Sequence, residues 1–281
     1  MLDDCIDFWL QEDLGPGDYS TLAAIDSTQK GTAKLLVKEK GILAGVKVAK
    51  RIIEKTDPSA EITFYFNDGD AIEVGDIAFT IFGNAQNLLS TERLILNCMQ
   101  RMSGIATKTK RLVEKVKHTD VTLLDTRKTT PGFRLLEKEA VRIGGGANHR
   151  FGLFDRVMLK DNHIDFCGGI KLAMDKVVAY QLSSGLNLPV EVEVRNFQEL
   201  KEAIEIKEIN RIMLDNFTPK EILECLKWIP ANVEVEASGG IDEDNLVAYA
   251  ETGVHFISMG TLTHHVDSLD LSLKAVIHPR Q

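Results

Sequence analysis

Residues 189–260 read PVEVEV (189–194), FQELKEAIEI (197–206), RIMLDN (211–216), PKEILECLKWI (219–229), VEVEAS (233–238), EDNLVAYAE (243–251) and HFISMG (255–260). Short β-branched runs alternate here with segments whose apolar residues recur at helical spacing. Strict alternation of strand and helix is the pattern of parallel strands joined by crossover helices. Toward the N-terminus, VTLLDT (121–126) and RVMLKD (156–161) add two strands, and IKLAMDKVVAYQL (170–182) adds a helix. The near-continuous apolar runs suit strands buried on both faces. Six strands fall short of the eight in a closed barrel. The expected architecture is therefore an incomplete parallel α/β barrel, with a doubly wound sheet as the alternative.

Before residue 110 the pattern is different. GTAKLLVKE (31–39), GILAG (41–45), ITFYFNDGD (62–70) and EVGDIAFTIFG (73–83) read as short strands, the third ending in the turn signal Asn67-Asp68-Gly69. VKVAKRIIEKT (46–56) has helical spacing. This pattern reads as a small α+β domain. TERLILNCMQRMSG (91–104), with Ser90 as its expected N-cap, and ATKTKRLVEKVK (106–117) read as two connecting helices. The expected division is an N-terminal domain at 1–110, a barrel at 111–268 and a C-terminal segment at 269–281 that packs back on the N-terminal domain.

The chain has 281 residues, 44 % hydrophobic and 27 % charged, which excludes fibrous and disordered classes. No run approaches the roughly 18 apolar residues of a membrane span, and the first residues, MLDDCIDFWL, are acidic where an export signal is basic. Cys5, Cys98, Cys167 and Cys225 form no CxxC pair and read as reduced thiols, so the expected location is the cytoplasm. A net charge of −9 makes nucleic acid a poor partner. Within that acidic chain, residues 127–160 carry eight Lys or Arg against three Asp or Glu, interleaved with Gly144, Gly145, Gly146, Asn148 and His149. That mixture suits the close approach of an anion better than a solvated helix face does.

The expected strands end in polar groups: Asp125-Thr126-Arg127-Lys128, Lys160-Asp161, Glu193, Asp215-Asn216, Ser238-Gly239-Gly240 and Gly260. The C-terminal rim of such barrels carries the active site, and the last two strands often hold phosphate on backbone N–H groups. Arginine forks match carboxylates. Glu193 and Asp215, opposite in sign to the cationic cluster, suit Mg²⁺ or a cationic transition state on a sugar. Together these groups imply phosphoribosyl transfer to an acidic acceptor. Neither a Walker A motif nor a strand-borne GxGxxG is present, and the His264-His265 doublet reads as surface.

EDLGPGD (12–18), GILAG (41–45), QRMSGIAT (100–107), DTRKTTPGFR (125–134), GGGANHRFGL (144–153), KDNH (160–163), EVEV (191–194), LDNF (214–217), EASGGI (236–241) and ISMG (257–260) resemble the quinolinate phosphoribosyltransferase family in order and spacing. Phe133 and Cys98 stand where that pattern has other apolar residues. The resemblance implies a small N-terminal α+β sandwich domain followed by an incomplete α/β barrel, and conversion of quinolinate and phosphoribosyl pyrophosphate to nicotinate mononucleotide, pyrophosphate and CO₂ with Mg²⁺, in a homodimer with shared active sites. By position it implies that Arg127, His149, Arg150 and Lys160 hold the quinolinate carboxylates, with Thr126 lining the pocket and Arg101 reaching in from the neighbouring subunit. Lys128 would meet pyrophosphate or phosphate oxygens; Glu193 and Asp215 would face the ribose and Mg²⁺, directly or through water. Ser238, Gly239, Gly240 and Gly260 would hold the 5′-phosphate. A paralogue associated with molybdenum transport shares the fold, but the presence of all five acceptor-binding cations disfavours it. A non-catalytic anion-binding protein would not need Glu193 and Asp215.

Overall fold

The computed structural model describes residues 1–276. In chain order the elements begin with α1 (Leu2–Leu14), α2 (Tyr19–Ala24), β1 (Lys30–Val37), β2 (Gly41–Ile42), α3 (Val46–Thr56), β3 (Glu61–Phe64), β4 (Ala71–Ile72), β5 (Ile77–Asn84) and α4 (Ala85–Val116). They continue with β6 (Thr122–Leu124), α5 (Arg134–Ile143), β7 (Val157–Leu159), α6 (Asp161–Cys167), α7 (Ile170–Ser184), β8 (Val190–Val194), α8 (Phe197–Ile204) and β9 (Arg211–Asp215). The last are α9 (Pro219–Cys225), β10 (Glu234–Ser238), α10 (Leu246–Ala250), β11 (Phe256–Ser258), α11 (Thr261–His264) and β12 (Leu271–Val276).

Two compact units result. The first holds residues 1–110, 129–145 and the described residues from Leu262 on; the second holds 111–128 and 146–261. Single cuts at 110 and 268 therefore do not describe the division. Residues 129–145 and 262–268, assigned to the barrel by sequence, belong to the first unit. The cause is burial: α5 buries its own Leu136, Ala140 and Val141, and it carries a fully buried Glu137 that pairs with Arg101 on α4.

The first unit is built on an antiparallel sheet of order β12-β1-β5-β3. Ala33, Leu35 and Val37 alternate along β1 and are buried, as a half-buried strand requires. The C-terminal strand returns to this sheet, with Leu273 opposite Leu35. The two helices expected over 91–117 are one, α4, and Ser90 lies inside it. Its cap is Asn84, whose Oδ1 accepts from the N–H groups of Gln86 and Asn87 at 2.9 and 3.2 Å. Ser90 instead donates to Asp18 Oδ2 at 3.1 Å. Ser103-Gly104 looks like a helix break, but each residue has a packing reason. Ser103 Oγ is buried against the backbone of Ala44, and a Cβ at position 104 would overlap the carbonyl of Asp267.

The second unit carries a wholly parallel sheet of order β6-β11-β10-β9-β8-β7. Strands β7 to β11 follow one another without reversal, and β6 closes beside β11. A doubly wound sheet would reverse at a switch point; this cyclic order is that of a barrel left open between β6 and β7. Ala147 bridges Leu124 in parallel, so the glycine-rich segment runs along the free edge of β6. Alternate residues of the strands are polar rather than apolar: Glu191 and Glu193 on β8, Arg211 and Asp215 on β9, Glu234, Glu236 and Ser238 on β10. The period of two sends these to one face. Val190, Val192 and Val194 are buried on the other.

Candidate active site

All the site residues expected from sequence except Arg101 fall in the second unit. Three groups can be distinguished around the strand ends. The first is cationic. Arg127 and Lys128 follow β6 and are exposed, with the Lys128 N–H held by Thr126 Oγ1 at 3.0 Å. Asp125, fully buried, accepts the His149 N–H at 2.9 Å and the Asn148 amide at 2.5 Å. It thus ties the glycine-rich segment to the end of β6. Arg150, 9 % exposed, sits near enough to Arg127 that burial first and that like charge second depress its pKa.

The second group is a carboxylate pair with a lysine. Lys160, at the end of β7, donates to Glu193 Oε2 at 2.8 Å. Burial, reinforced by the Glu193 charge, raises the pKa of Asp215 above its ordinary value, against the lowering effect of Lys160. The two carboxylates therefore feel each other.

The third group is the glycine turn after β10. Gly239 and Gly240 adopt φ of +89° and +63°, open to glycine at no steric cost. A Cβ on Gly239 would come within 2.8 Å of the Asn216 backbone nitrogen, whereas nothing lies within 4 Å of one on Gly240. Asn216 itself is left-handed at φ +60° and donates its N–H to the Ser238 carbonyl at 2.8 Å. The Ser258 hydroxyl donates to Ser238 Oγ at 3.0 Å, and Gly260 follows β11. Backbone N–H groups beside uncrowded glycine make an anion cradle.

Arg101 is not where the sequence reading put it. Its guanidinium lies inside the first unit, bonded to Glu137 Oε1 at 2.9 and 3.1 Å, to the Val266 carbonyl at 3.0 Å and to the Thr263 carbonyl. Glu137 is fully buried and also accepts from the Thr130 N–H and hydroxyl. Arg101 is the counter-ion of a buried carboxylate, so a role in a neighbouring subunit would strand that charge. Arg93, also on α4, has a side chain 62 % exposed beside Glu92.

Below the rim lies a cluster that residue-by-residue reading missed: His149, Glu191, Glu236, Arg156 and Arg211. His149 Nε2 is 3.2 Å from Glu191 Oε1 and 3.6 Å from Glu236 Oε2, Arg211 Nη1 is 3.0 Å from Glu236 Oε2, and Arg156 is 3.5 Å from Glu191. Glu191 and Glu236 are fully buried. His149, Glu191 and Glu236 present ligand-type atoms within 4.8 Å of one another, but the two arginines supply positive charge where a metal ion would. The signal was present in sequence: charged residues at alternate positions of strands that are otherwise apolar.

A family model described as the quinolinate phosphoribosyl transferase N-terminal domain matches residues 18–103, and the corresponding C-terminal domain model matches 105–274. The probable nicotinate-nucleotide pyrophosphorylase [carboxylating] of Bacillus subtilis is 42 % identical over 95 % of this chain and 90 % of its own length. The chloroplastic nicotinate-nucleotide pyrophosphorylase [carboxylating] of Oryza sativa subsp. japonica is 43 % identical over 96 % of this chain and 76 % of its own. The crystal structure of NadC from Streptococcus pyogenes superposes with a TM-score of 0.90 at 38 % identity, covering 98 % of this chain and 97 % of that one. Two matched domains, one continuous full-length likeness and an open barrel with its charged rim agree: the chain belongs to the quinolinate phosphoribosyltransferase family.

Proposed function

We infer that this chain is a decarboxylating phosphoribosyltransferase of NAD biosynthesis, converting quinolinate and phosphoribosyl pyrophosphate to nicotinate mononucleotide, pyrophosphate and CO₂. The observation that carries the reading is Arg150, nearly buried beside the like charge of Arg127 at the strand ends, an arrangement that calls for an anion. A dicarboxylate supplies that anion. Arg127, Arg150 and Lys160 bind the acceptor carboxylates, Thr126 lines their pocket, and Lys128 meets the departing pyrophosphate. The turn of Ser238, Gly239 and Gly240, with Gly260, holds the 5′-phosphate.

Catalysis is then positioning and electrostatics. The pyridine nitrogen attacks the anomeric carbon as the bond to pyrophosphate breaks. Glu193 and Asp215 face the ribose and stabilise the positive charge that develops there. N-ribosylation leaves the ring nitrogen cationic. The adjacent carboxylate departs as CO₂, its bonding pair stays on the ring carbon, and a solvent proton takes that pair. Two mutually repelling carboxylates fit a hard divalent cation, which takes one or two carboxylates plus water and phosphate oxygens. Glu193 and Asp215 would hold Mg²⁺, which supplies charge neutralisation of the pyrophosphate.

The active form is a homodimer with shared sites. Exposed apolar side chains support association: Phe8, Tyr19 and Leu22 in the first unit, Leu153, Phe154 and Phe166 in the second. A cation of α4 that serves a second copy must be exposed on its own copy. Arg93 meets that requirement and Arg101 does not. Free cysteines suit a reducing, cytoplasmic setting, and no helix among the described residues is long and apolar enough to cross a membrane. Incubating the purified chain with quinolinate, phosphoribosyl pyrophosphate and Mg²⁺ tests the reading; without formation of nicotinate mononucleotide it fails.

A further inference from the structure

His149 is not held as an additional cation of the acceptor pocket. Its Nδ1 accepts the backbone N–H of Arg150 at 2.7 Å. A backbone N–H only donates, so that nitrogen must keep its lone pair. An imidazolium would set two donors against each other at that distance. The ring proton therefore sits on Nε2, which faces Glu191 Oε1 at 3.2 Å with Glu236 Oε2 at 3.6 Å behind it. The imidazole is 6 % exposed and Glu191 is fully buried, so water does not compete for either end.

We propose that Glu191 is a positioning residue for the acceptor pocket: it fixes His149 as the neutral, Nε2-protonated tautomer, whose Nδ1 lone pair then anchors the Arg150 backbone from which the carboxylate-binding guanidinium extends. The assignment deepens the function proposed above and rests on it only for what Arg150 binds. Four features support it. Arg156 beside Glu191 and Arg211 beside Glu236 balance the carboxylates, so no second proton on His149 is needed for charge. Glu236 Oε1 has no hydrogen-bond partner, and burial, reinforced by the Glu191 charge, pushes the Glu236 acid up to about 7. Arg211 is itself fixed, stacked 3.8 Å over the Phe256 ring and bonded to Glu234 Oε2 at 2.8 Å. Asp125 holds the His149 N–H, so backbone and ring are restrained from opposite sides. A ring oriented by a carboxylate on its far nitrogen is a recurrent way to set a tautomer.

The test begins with the unaltered chain. Two-bond ¹H–¹⁵N correlation spectra of ¹⁵N-histidine-labelled protein distinguish both neutral tautomers and the imidazolium, with the His149 signals identified by their loss in His149→Asn. We expect the Nε2–H pattern at about pH 7.5. An imidazolium or an Nδ1–H ring there overturns the proposal, whatever the activity. In Glu191→Gln the amide can also donate to Nε2, so the pattern should become mixed. KM for quinolinate should then rise about tenfold or more, while KM for phosphoribosyl pyrophosphate and kcat stay within about threefold. A pure Nε2–H pattern with unchanged quinolinate KM in that variant also refutes it. If the parent chain shows the expected tautomer but binds no quinolinate, the function is wrong and the tautomer assignment stands; the reverse result sinks only the latter.

Discussion

Replacing Glu193 with glutamine removes one charge and almost no volume, and three consequences can be worked out separately. Glu193 is 7 % exposed and its Oε2 receives the Lys160 ammonium at 2.8 Å. The Lys160 side chain is 43 % exposed, so solvent screens the pair and it is worth about 1 kcal/mol rather than its bare Coulomb energy. Quinolinate must draw Lys160 toward its own carboxylate against that attraction. Freed of it, Glu193→Gln should bind quinolinate as well as the parent or up to about fivefold tighter. The oxocarbenium-like centre, by contrast, exists only at the transition state, where loss of one preorganised charge costs about 3 kcal/mol, or roughly 10²- to 10³-fold in kcat. The third effect concerns pH. Asp215 is raised by burial and then by the Glu193 charge. Removing that charge lowers it, so the acid limb of kcat should move to lower pH. Calorimetry of quinolinate binding, together with saturating rates across pH and Mg²⁺ concentration, reads all three. The metal series matters because weakened phosphoribosyl pyrophosphate binding can imitate a kcat defect. Full kcat in this variant, or quinolinate affinity lost as severely as in Arg150→Ala, would refute the division of labour.

Gly239→Ala sets a side chain at φ +89° and within 2.8 Å of the Asn216 nitrogen; phosphoribosyl pyrophosphate affinity should fall at least tenfold with quinolinate binding preserved, as separate titrations would show. Arg101→Ala strands the buried Glu137 and should cost about 3 kcal/mol of stability, seen as a lower thermal midpoint, whereas Arg93→Ala should leave the midpoint unchanged. Mixing inactive Arg93→Ala chains with inactive Lys160→Ala chains should restore activity in proportion to verified mixed dimers, and no rescue would count against shared sites. Nicotinate leaves one cation group of the pocket unpaired, so quinolinate should be preferred by about 10³-fold or more in kcat/KM.

The barrel strands were legible because β-branched runs and helical periods alternate over 121–260, and each strand advertises its end with a charge. The rim residues followed from that register. What was not legible depends on partners distant in the chain. α4 looks broken at Ser103-Gly104 because serine and glycine are poor helix formers, and only the crossing of Asp267 explains the glycine. Ser90 is an acceptable cap by type, yet Asn84 lies where the chain turns out of β5. The return of 129–145 to the first unit rests on α5 and Glu137, which local propensity does not register. Arg101 shows the same difficulty for function. An arginine in a motif announces a charge, but not whether that charge serves a ligand or a carboxylate thirty-six residues later.

Glu191 and Glu193 sit two residues apart on β8 and share one face, yet their surroundings give them different work. Around Glu191 the strands supply as many cations as carboxylates: Arg156 from the approach to β7, Arg211 from β9, with Glu236 from β10. All are buried or nearly so, and pairing with the arginines is what makes such burial tolerable. One layer up the balance is broken on purpose of position. Glu193 has Lys160, Asp215 adds a second negative charge whose acid is raised, and on the other side of the rim Arg150 is depressed beside Arg127. Asp215 and Arg150 are each a charge held by burial and a like neighbour in an environment that does not favour it. A ligand that brings two carboxylates to the arginines and positive charge to the acids relieves both at once. The lower layer is not placed to respond this way, because its carboxylates already face their own arginines. It serves instead as a rigid base, transmitting position through His149 to Arg150. The period of two along a single strand thus separates the part of the barrel that holds geometry from the part that answers to substrate.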